Sequence, residues 1–205
     1  MRVPTLERET ALWAQGHEVV VGLDEVGRGP LAGPVVAGAV VFQPRQAPIE
    51  GLRDSKSMTA LSRERAAREV RAQALAWAVG AASVHEIDRF NIRGATALAM
   101  RRALARLRVA PDYVLVDGSP FPELGTAHEA IVRGDGTCLT IAAASVLAKC
   151  VRDRLMLLLA RRYPGFGWDH NKGYATRSHL NALDRSGPTP HHRSSFSPVV
   201  QPRFL

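Results

Sequence analysis

Apolar residues gather early in the chain into two uninterrupted runs, Val19–Leu23 and Val35–Phe42, both rich in β-branched side chains. Neither alternates as a half-buried strand does, so both read as strands covered on two faces. The Gly-Pro-Leu-Ala-Gly-Pro stretch at 29–34 reads as the turn of a hairpin between them. The period then changes. Leu61, Ala66, Val70, Ala74 and Trp77 recur at helical spacing, with Thr59 or Ser62 as the N-cap. Val79–Val84 reads as a third, short strand, and His85–Asp88 as a turn or a brief helix. Ala95–Leu107 is a helix with a basic face, stopped by Pro111, and Tyr113–Val116 and Ala130–Val132 complete a set of five strands. Leu139–Arg162 is a long helix that starts on small residues. Beyond Tyr163 the composition shifts to Gly, Pro, His and Ser around one more helix, Thr176–Arg185. With residues 1–17 as a helical lead-in, this is an α/β chain with a mixed sheet.

Acid follows three of the five apolar runs: Asp24-Glu25, Asp117-Gly118 and Gly134-Asp135. Open α/β sheets bind ligands beyond their strand ends, where such residues converge. Asp-Glu before glycines is also the composition of a solvated turn. Pinned between two core strands, however, this pair makes a poor free loop. Four carboxylates brought together repel unless cations neutralise them, and Mg²⁺ or Mn²⁺ suits an all-oxygen set. Two such ions can activate a water and stabilise the leaving oxygen of a phosphodiester. Asp153 competes for the fourth place, but it lies within a helix between Arg152 and Arg154, where a salt-bridged role fits better, so Asp135 is preferred. No zinc spacing, phosphate-binding loop, dinucleotide fingerprint or nucleophile elbow occurs, which leaves metal-dependent phosphoryl chemistry.

Charge points the same way. The 205 residues carry a formal +8, which favours a polyanionic partner. Of 27 basic residues only Lys56, Lys149 and Lys172 are lysine, and each lies in a segment already of interest. Cys138 and Cys150 in or beside an apolar helix read as buried free thiols, as in a reducing cytoplasm. No apolar run reaches membrane-spanning length, and the charged N-terminus lacks the pattern of a secretory signal. The chain is expected to be a cytoplasmic monomer, its last residues, Gln201–Leu205, forming a tail.

Taken together, these residues resemble the type 2 ribonuclease H family, in its bacterial ribonuclease HII form, over roughly residues 18–198. The motifs are Asp-Glu-x-Gly-Arg-Gly at 24–29, Asp54-Ser55-Lys56, Asp117 in Val-Asp-Gly, and Arg133-Gly134-Asp135. They continue with Ala-Ala-Ala-Ser-Val-Leu-Ala-Lys at 142–149, Lys172-Gly173-Tyr174 and His191-His192-Arg193-x-x-Phe196. The resemblance implies a ribonuclease H-like fold, with a mixed five-stranded sheet flanked by helices. The catalytic core would span 1–162 and a helical substrate-binding extension 163–205, as one compact unit. It implies endonucleolytic cleavage of RNA in RNA–DNA hybrids and of single ribonucleotides in duplex DNA, leaving 5′-phosphate and 3′-hydroxyl ends. Asp24, Glu25, Asp117 and Asp135 would hold two Mn²⁺ or Mg²⁺ ions. Gly27, Arg28, Gly29 and Tyr174 would read the 2′-hydroxyl at an RNA-to-DNA junction. Lys56, Lys149 and Lys172 would bind backbone phosphates. Ser145 could offer its hydroxyl to a phosphate, though close helix packing accounts for it equally well.

Two departures concern the phosphate contacts. Arg133 stands where the family commonly has lysine, which keeps the charge, and Ser57-Met58 stands where a second lysine and a leucine are usual. No motif supports a contact with a sliding clamp. Two other classes fit parts of the pattern. A different nuclease or strand-transfer enzyme would share the acids but not need the Gly-Arg-Gly turn and Tyr174. A non-catalytic basic binding module would leave the acids without a role.

Overall fold

The computed structural model describes residues 3–47 and 49–199; the side chain of Lys56 and residues 200–205 lie outside the described set. Five strands form one sheet in the order β3-β2-β1-β4-β5. They are β1 (Val20–Val26), β2 (Val35–Val41), β3 (Ala76–Ala82), β4 (Tyr113–Asp117) and β5 (Glu129–Ile131). β1 pairs antiparallel with β2 and parallel with β4, so it is the point at which the sheet changes direction. The mixed sheet agrees with the expectation.

Helices cover both faces: α2 (Ala60–Gln73) and α4 (Leu139–Arg162) lie on one, α3 (Val84–Arg106) on the other. α1 (Glu7–Ala14) precedes β1, and α5 (Trp168–Asn171) and α6 (Arg177–Ser186) follow α4. α4 runs unusually close to the sheet. A Cβ on Gly22 would stand 2.4 Å from the Thr140 carbonyl carbon, and one on Gly38 would stand 2.2 Å from the Ala144 carbonyl oxygen. Glycine in the strands and Ala142–Ser145 on the helix therefore form one fitted contact. Because Asp24 pairs with Gly38 in the ladder, this contact brings Ser145 to Asp24.

Three boundaries differ from the sequence reading. Trp77 does not belong to a helix: α2 stops at Gln73, and Trp77 faces outward from β3 beneath the Arg71 guanidinium, 5.5 Å from the ring centre. The alanines around it are compatible with either period, so only the sheet decides. The third strand consequently ends at Ala82, and Ser83 caps α3 in a reciprocal capping box with Glu86. α3 also absorbs the His85–Asp88 turn and is kinked at Asn91 (φ 56°, ψ 174°), whose Oδ1 caps the second segment through the N–H groups of Arg93 and Gly94. Cys138 and Cys150 are buried and unbridged, and burial pushes both thiols up to about 11.

The start of α4 lacks a side-chain cap of its own, since Cys138 occupies that position. Glu9 of α1 supplies one from a distance, accepting from the Thr140 N–H at 2.9 Å and from its hydroxyl at 2.7 Å. The carboxyl group is fully buried, and burial raises its pKa against the opposing pull of Thr140. A carboxyl held above its unfolded value favours the protonated native state. Its contribution is therefore largest in acid and declines as pH rises through the raised value. Glu9→Gln, which keeps an acceptor for Thr140 without the charge, is expected to flatten this part of the pH dependence in urea unfolding. Glu9→Ala should cost about 1–3 kcal/mol by leaving buried donors without an acceptor.

Candidate active site

Successive side chains of a strand point to opposite faces, and this rule organises the acids. Asp24 falls on the α4 face of β1 and Glu25 on the α3 face. Asp117 ends the neighbouring parallel strand, with Leu115 on the α4 side of it. Asp135 comes from a single 3-10 turn, Gly134–Gly136, at the entrance to α4 rather than from a strand end. Oxygens of Asp24, Asp117 and Asp135 lie within 4.8 Å of one another, and Asp24 and Asp135 are buried. Glu25 stands outside this trio with Arg28 at 3.3 Å, as the alternation of the strand requires.

Asp24 accepts the N–H of Glu25 at 2.7 Å and the hydroxyl of Ser145. Ser145 has one hydroxyl hydrogen, and donating it to Asp24 leaves its oxygen to accept from Ser55 at 2.9 Å. Ser55 of the Asp54-Ser55-Lys56 motif thus supports Asp24 through Ser145. Ser145 faces a carboxylate, a role different from the phosphate contact considered above. Burial, then the charges of Glu25 and Asp117, push the Asp24 carboxyl well above its usual range. Glu25 is also raised, by burial first, although Arg28 opposes the shift. These groups fit a hard divalent cation: clustered oxygens, little water, and a surplus of negative charge that a cation would relieve.

The Gly27-Arg28-Gly29 turn lies directly after these acids. Gly27 has φ +94°, and a Cβ there would stand 2.1 Å from Nε of Arg152. Arg193 donates to the carbonyls of Gly27 (2.5 Å), Arg28 (2.7 Å) and Gly33 (2.8 Å). Arg152 donates to those of Pro34 (3.0 Å), Ala32 (3.1 Å) and Lys172 (3.0 Å). Tyr174, 45 % exposed, places its ring edge 3.7 Å from where a Gly29 Cβ would be. The structure thereby brings together the turn and the aromatic ring, although 145 residues separate them. A cleft of about 350 Å³ opens beside them, lined by Glu25, Arg28, Arg93, Asp117 and Ser119.

A second cleft, of about 650 Å³, lies between α2 and α4 and collects Arg63, Lys149, Asp153 and Lys172. Asp153 is ion-paired there, with Lys149 at 2.7 Å and Arg63 at 3.4 Å, away from the acidic trio. Lys172 donates to the Asp169 carbonyl, and burial lowers its pKa. The Lys56 side chain lies outside the described set. Sequence reasoning missed Ser55, Arg152 and Arg193 as parts of the site. Arg152 did carry a signal, since Ala148, Arg152 and Met156 recur at four-residue spacing on the buried face of α4.

Comparison with known proteins agrees with this geometry. The sequence profile described as Ribonuclease HII matches residues 21–199. The chain belongs to the ribonuclease HII family. Ribonuclease HII of Cereibacter sphaeroides is 55 % identical over 197 residues, covering 96 % of this chain and 92 % of that protein. The crystal structure of ribonuclease H2 from Pyrococcus horikoshii superposes with a TM-score of 0.74 at 26 % identity, over 89 % of this chain and 95 % of that one. Bst-RNase HIII in complex with Mn²⁺ shares the fold, with a TM-score of 0.64 at 22 % identity, over 87 % and 66 % of the two chains. The protein is therefore an enzyme with ribonuclease H activity, a metal-dependent hydrolase of phosphodiester bonds. Among its described residues no helix is long and apolar enough to cross a membrane.

Carboxyls held above their usual range must lose protons before they can ligate a cation. Mn²⁺ binding followed by calorimetry is expected to release protons, with an enthalpy that depends on the buffer and an affinity that rises with pH. Ser145→Ala should weaken that affinity by about tenfold, as loss of a partner that orients a ligand does.

Proposed function

We propose that this ribonuclease HII cleaves the phosphodiester 5′ to ribonucleotides, both in RNA–DNA hybrids and at single ribonucleotides embedded in duplex DNA, leaving 5′-phosphate and 3′-hydroxyl ends. The observation that carries the reading is the Tyr174 ring set over Gly29, next to the acids. A lone ribonucleotide differs from its neighbours only by a 2′-hydroxyl on the sugar edge. Arg193 occupies the carbonyls of Gly27 and Arg28, so the turn presents its N–H edge to that hydroxyl. With no side chain at 27 or 29, the sugar can approach closely, while Arg28 adds a positive charge. The half-exposed Tyr174 ring would stack on the next sugar and exclude a second 2′-hydroxyl by size.

Asp24, Glu25, Asp117 and Asp135 would hold two Mn²⁺ or Mg²⁺ ions. Bound there, the metal would supply an activated water and stabilise the leaving oxygen. Ser145 and Ser55 keep Asp24 aimed. Arg28 shares the charge of Glu25.

Lys149 and Lys172 in the larger cleft, with Lys56, would follow the phosphates, and the net charge of +8 favours association with any duplex. Residues 163–205 would form the substrate-binding extension, as part of one compact unit with the core at 1–162. The enzyme would act as a cytoplasmic monomer that removes ribonucleotides from DNA.

A DNA duplex holding one ribonucleotide, incubated with Mn²⁺, Mg²⁺ or chelator beside all-DNA and hybrid duplexes, tests this directly. The expected product is a single metal-dependent cut 5′ to the ribonucleotide and none in all-DNA; equal cutting of all-DNA would overturn the reading. Asp117→Asn is expected to abolish cleavage while leaving duplex binding largely intact. Tyr174→Ala should retain cleavage of the hybrid and lose preference for the junction.

A further inference from the structure

The C-terminal extension contains a buried pair of histidines that the reaction does not use. His179, in the first turn of α6, and His192 are both buried, with their Nε2 atoms 3.0 Å apart. Their surroundings settle where each proton sits. Nδ1 of His179 lies 2.9 Å from the Tyr174 carbonyl, which can only accept, so this nitrogen carries the hydrogen. Nε2 of His179 is then an acceptor, and the indole N–H of Trp168, which can only donate, reaches it at 3.1 Å. Nδ1 of His192 accepts the Thr189 N–H at 2.9 Å, which puts the His192 proton on Nε2, aimed at His179. Burial holds both rings below the ordinary imidazole range, and for His192 the adjacent His179 adds to this, bringing it to about 4. Both are therefore neutral at neutral pH, as the proton placement requires.

The chain of donors ends on Tyr174. Its carbonyl accepts from His179 and from the Thr176 N–H at 2.8 Å, and its own N–H donates to the Asn171 carbonyl at 2.9 Å. The preceding Lys172 (φ 51°) and Gly173 (φ +86°) are both left-handed, so the backbone turns sharply just before the ring. Tyr174 itself is 45 % exposed, and burial alone does not hold it. Its place over Gly29 is inherited from the backbone.

We propose that His179 is a positioning residue for Tyr174, and that the chain Thr189–His192–His179–Tyr174 sets selectivity for a ribonucleotide followed by DNA. This rests on Tyr174 being the junction reader. The competing account is packing, because Phe166 and Trp168 surround the same rings at 5.0–6.1 Å between centroids.

Asparagine and glutamine at 179 separate the two accounts. The Asn amide can place an N–H where Nδ1 stands and keep the bond to Tyr174. The Gln amide reaches the Nε2 position and loses that bond. The measurement is the ratio of kcat/KM on a single-ribonucleotide duplex to that on a continuous hybrid, with Mn²⁺, at a temperature where every variant is folded. His179→Gln is expected to lower the ratio by about tenfold, in line with one lost hydrogen bond. His179→Asn should stay within about threefold of the wild type. In a Tyr174→Ala background His179→Gln should lower the ratio no further, since residues acting through one another are not additive.

Equal ratios for the Asn and Gln variants, or a fully additive loss in the double variant, would overturn the proposal. Should His179→Gln not fold, His192→Asn carries the same cycle. It removes the Nε2–H donor, its loss is expected to be smaller and to vanish without Tyr174, and additivity would again overturn the proposal. If Tyr174→Ala alone leaves the ratio unchanged, the reader assignment itself fails, and the positioning role with it.

Discussion

Two buried guanidinium groups, held by main-chain carbonyls, shape the glycine-rich loop beside the acids. Arg152 and Arg193 are both fully buried and donate to the main-chain carbonyls of Gly27, Arg28, Ala32, Gly33, Pro34 and Lys172. Burying a cation costs several kcal/mol unless its donors are satisfied. Here six oxygens satisfy them, and the loop carrying five of those oxygens must keep one shape to do so. Burial, with the Arg152 charge adding to it, lowers Arg193 to about 9. The β1–β2 connection, otherwise an ordinary glycine-rich hairpin loop, is thereby fixed from the C-terminal side of the chain.

The same economy appears in α4, which works at four levels along its length. Its entrance carries Asp135 in a tight turn, and Ser145 two turns on supports Asp24. Arg152 pins the β1–β2 loop, and Asp153 on the next position holds Lys149 and Arg63 at the larger cleft. None of these distances survives unless the helix lies hard against β1 and β2, which Gly22 and Gly38 permit. A methyl group at either glycine would push the helix away from the acids as well as from the core. Core packing and site geometry are one constraint here.

Much of this was legible in the sequence, for physical reasons. β1 and β2 are covered on both faces, so their apolar runs are continuous and easily seen, and the acids stand out where those runs stop. The three-residue β5 and the alanine-rich β3 carry little periodic signal. Trp77 was accordingly assigned to a helix that ends before it. The separation of Glu25 from Asp24 follows from the two-residue alternation of any strand, which acids grouped by the ends of apolar runs do not display. Arg152 and Arg193 were hidden because arginine is expected at the surface, and only tertiary structure supplies the carbonyls that make their burial tolerable. Ser145 was seen but aimed at phosphate, since no local pattern reveals that Gly38 lets α4 bring it to a carboxylate.

The acidic trio and the Gly27-Arg28-Gly29 loop belong to opposite electrostatic designs joined at Glu25 and Arg28. On one side of that joint the carboxyls are crowded, and burial together with the charges of Glu25 and Asp117 raises Asp24, a penalty that a cation would relieve. On the other side, the buried Arg152 and Arg193 hold the main-chain carbonyls of the loop that carries Arg28. A phosphodiester that brought its charge to the acids alone would be repelled, and one that met the loop alone would find no acid. Under the proposed function, productive binding would require the sugar at the loop and the phosphate at a cation-loaded acid cluster together. The 3.3 Å contact between Glu25 and Arg28 keeps those two demands within one residue's reach of each other. On that proposal, discrimination and chemistry would be coupled by the short backbone path from Asp24 to Gly29, and a change that loosened the loop would be felt at both.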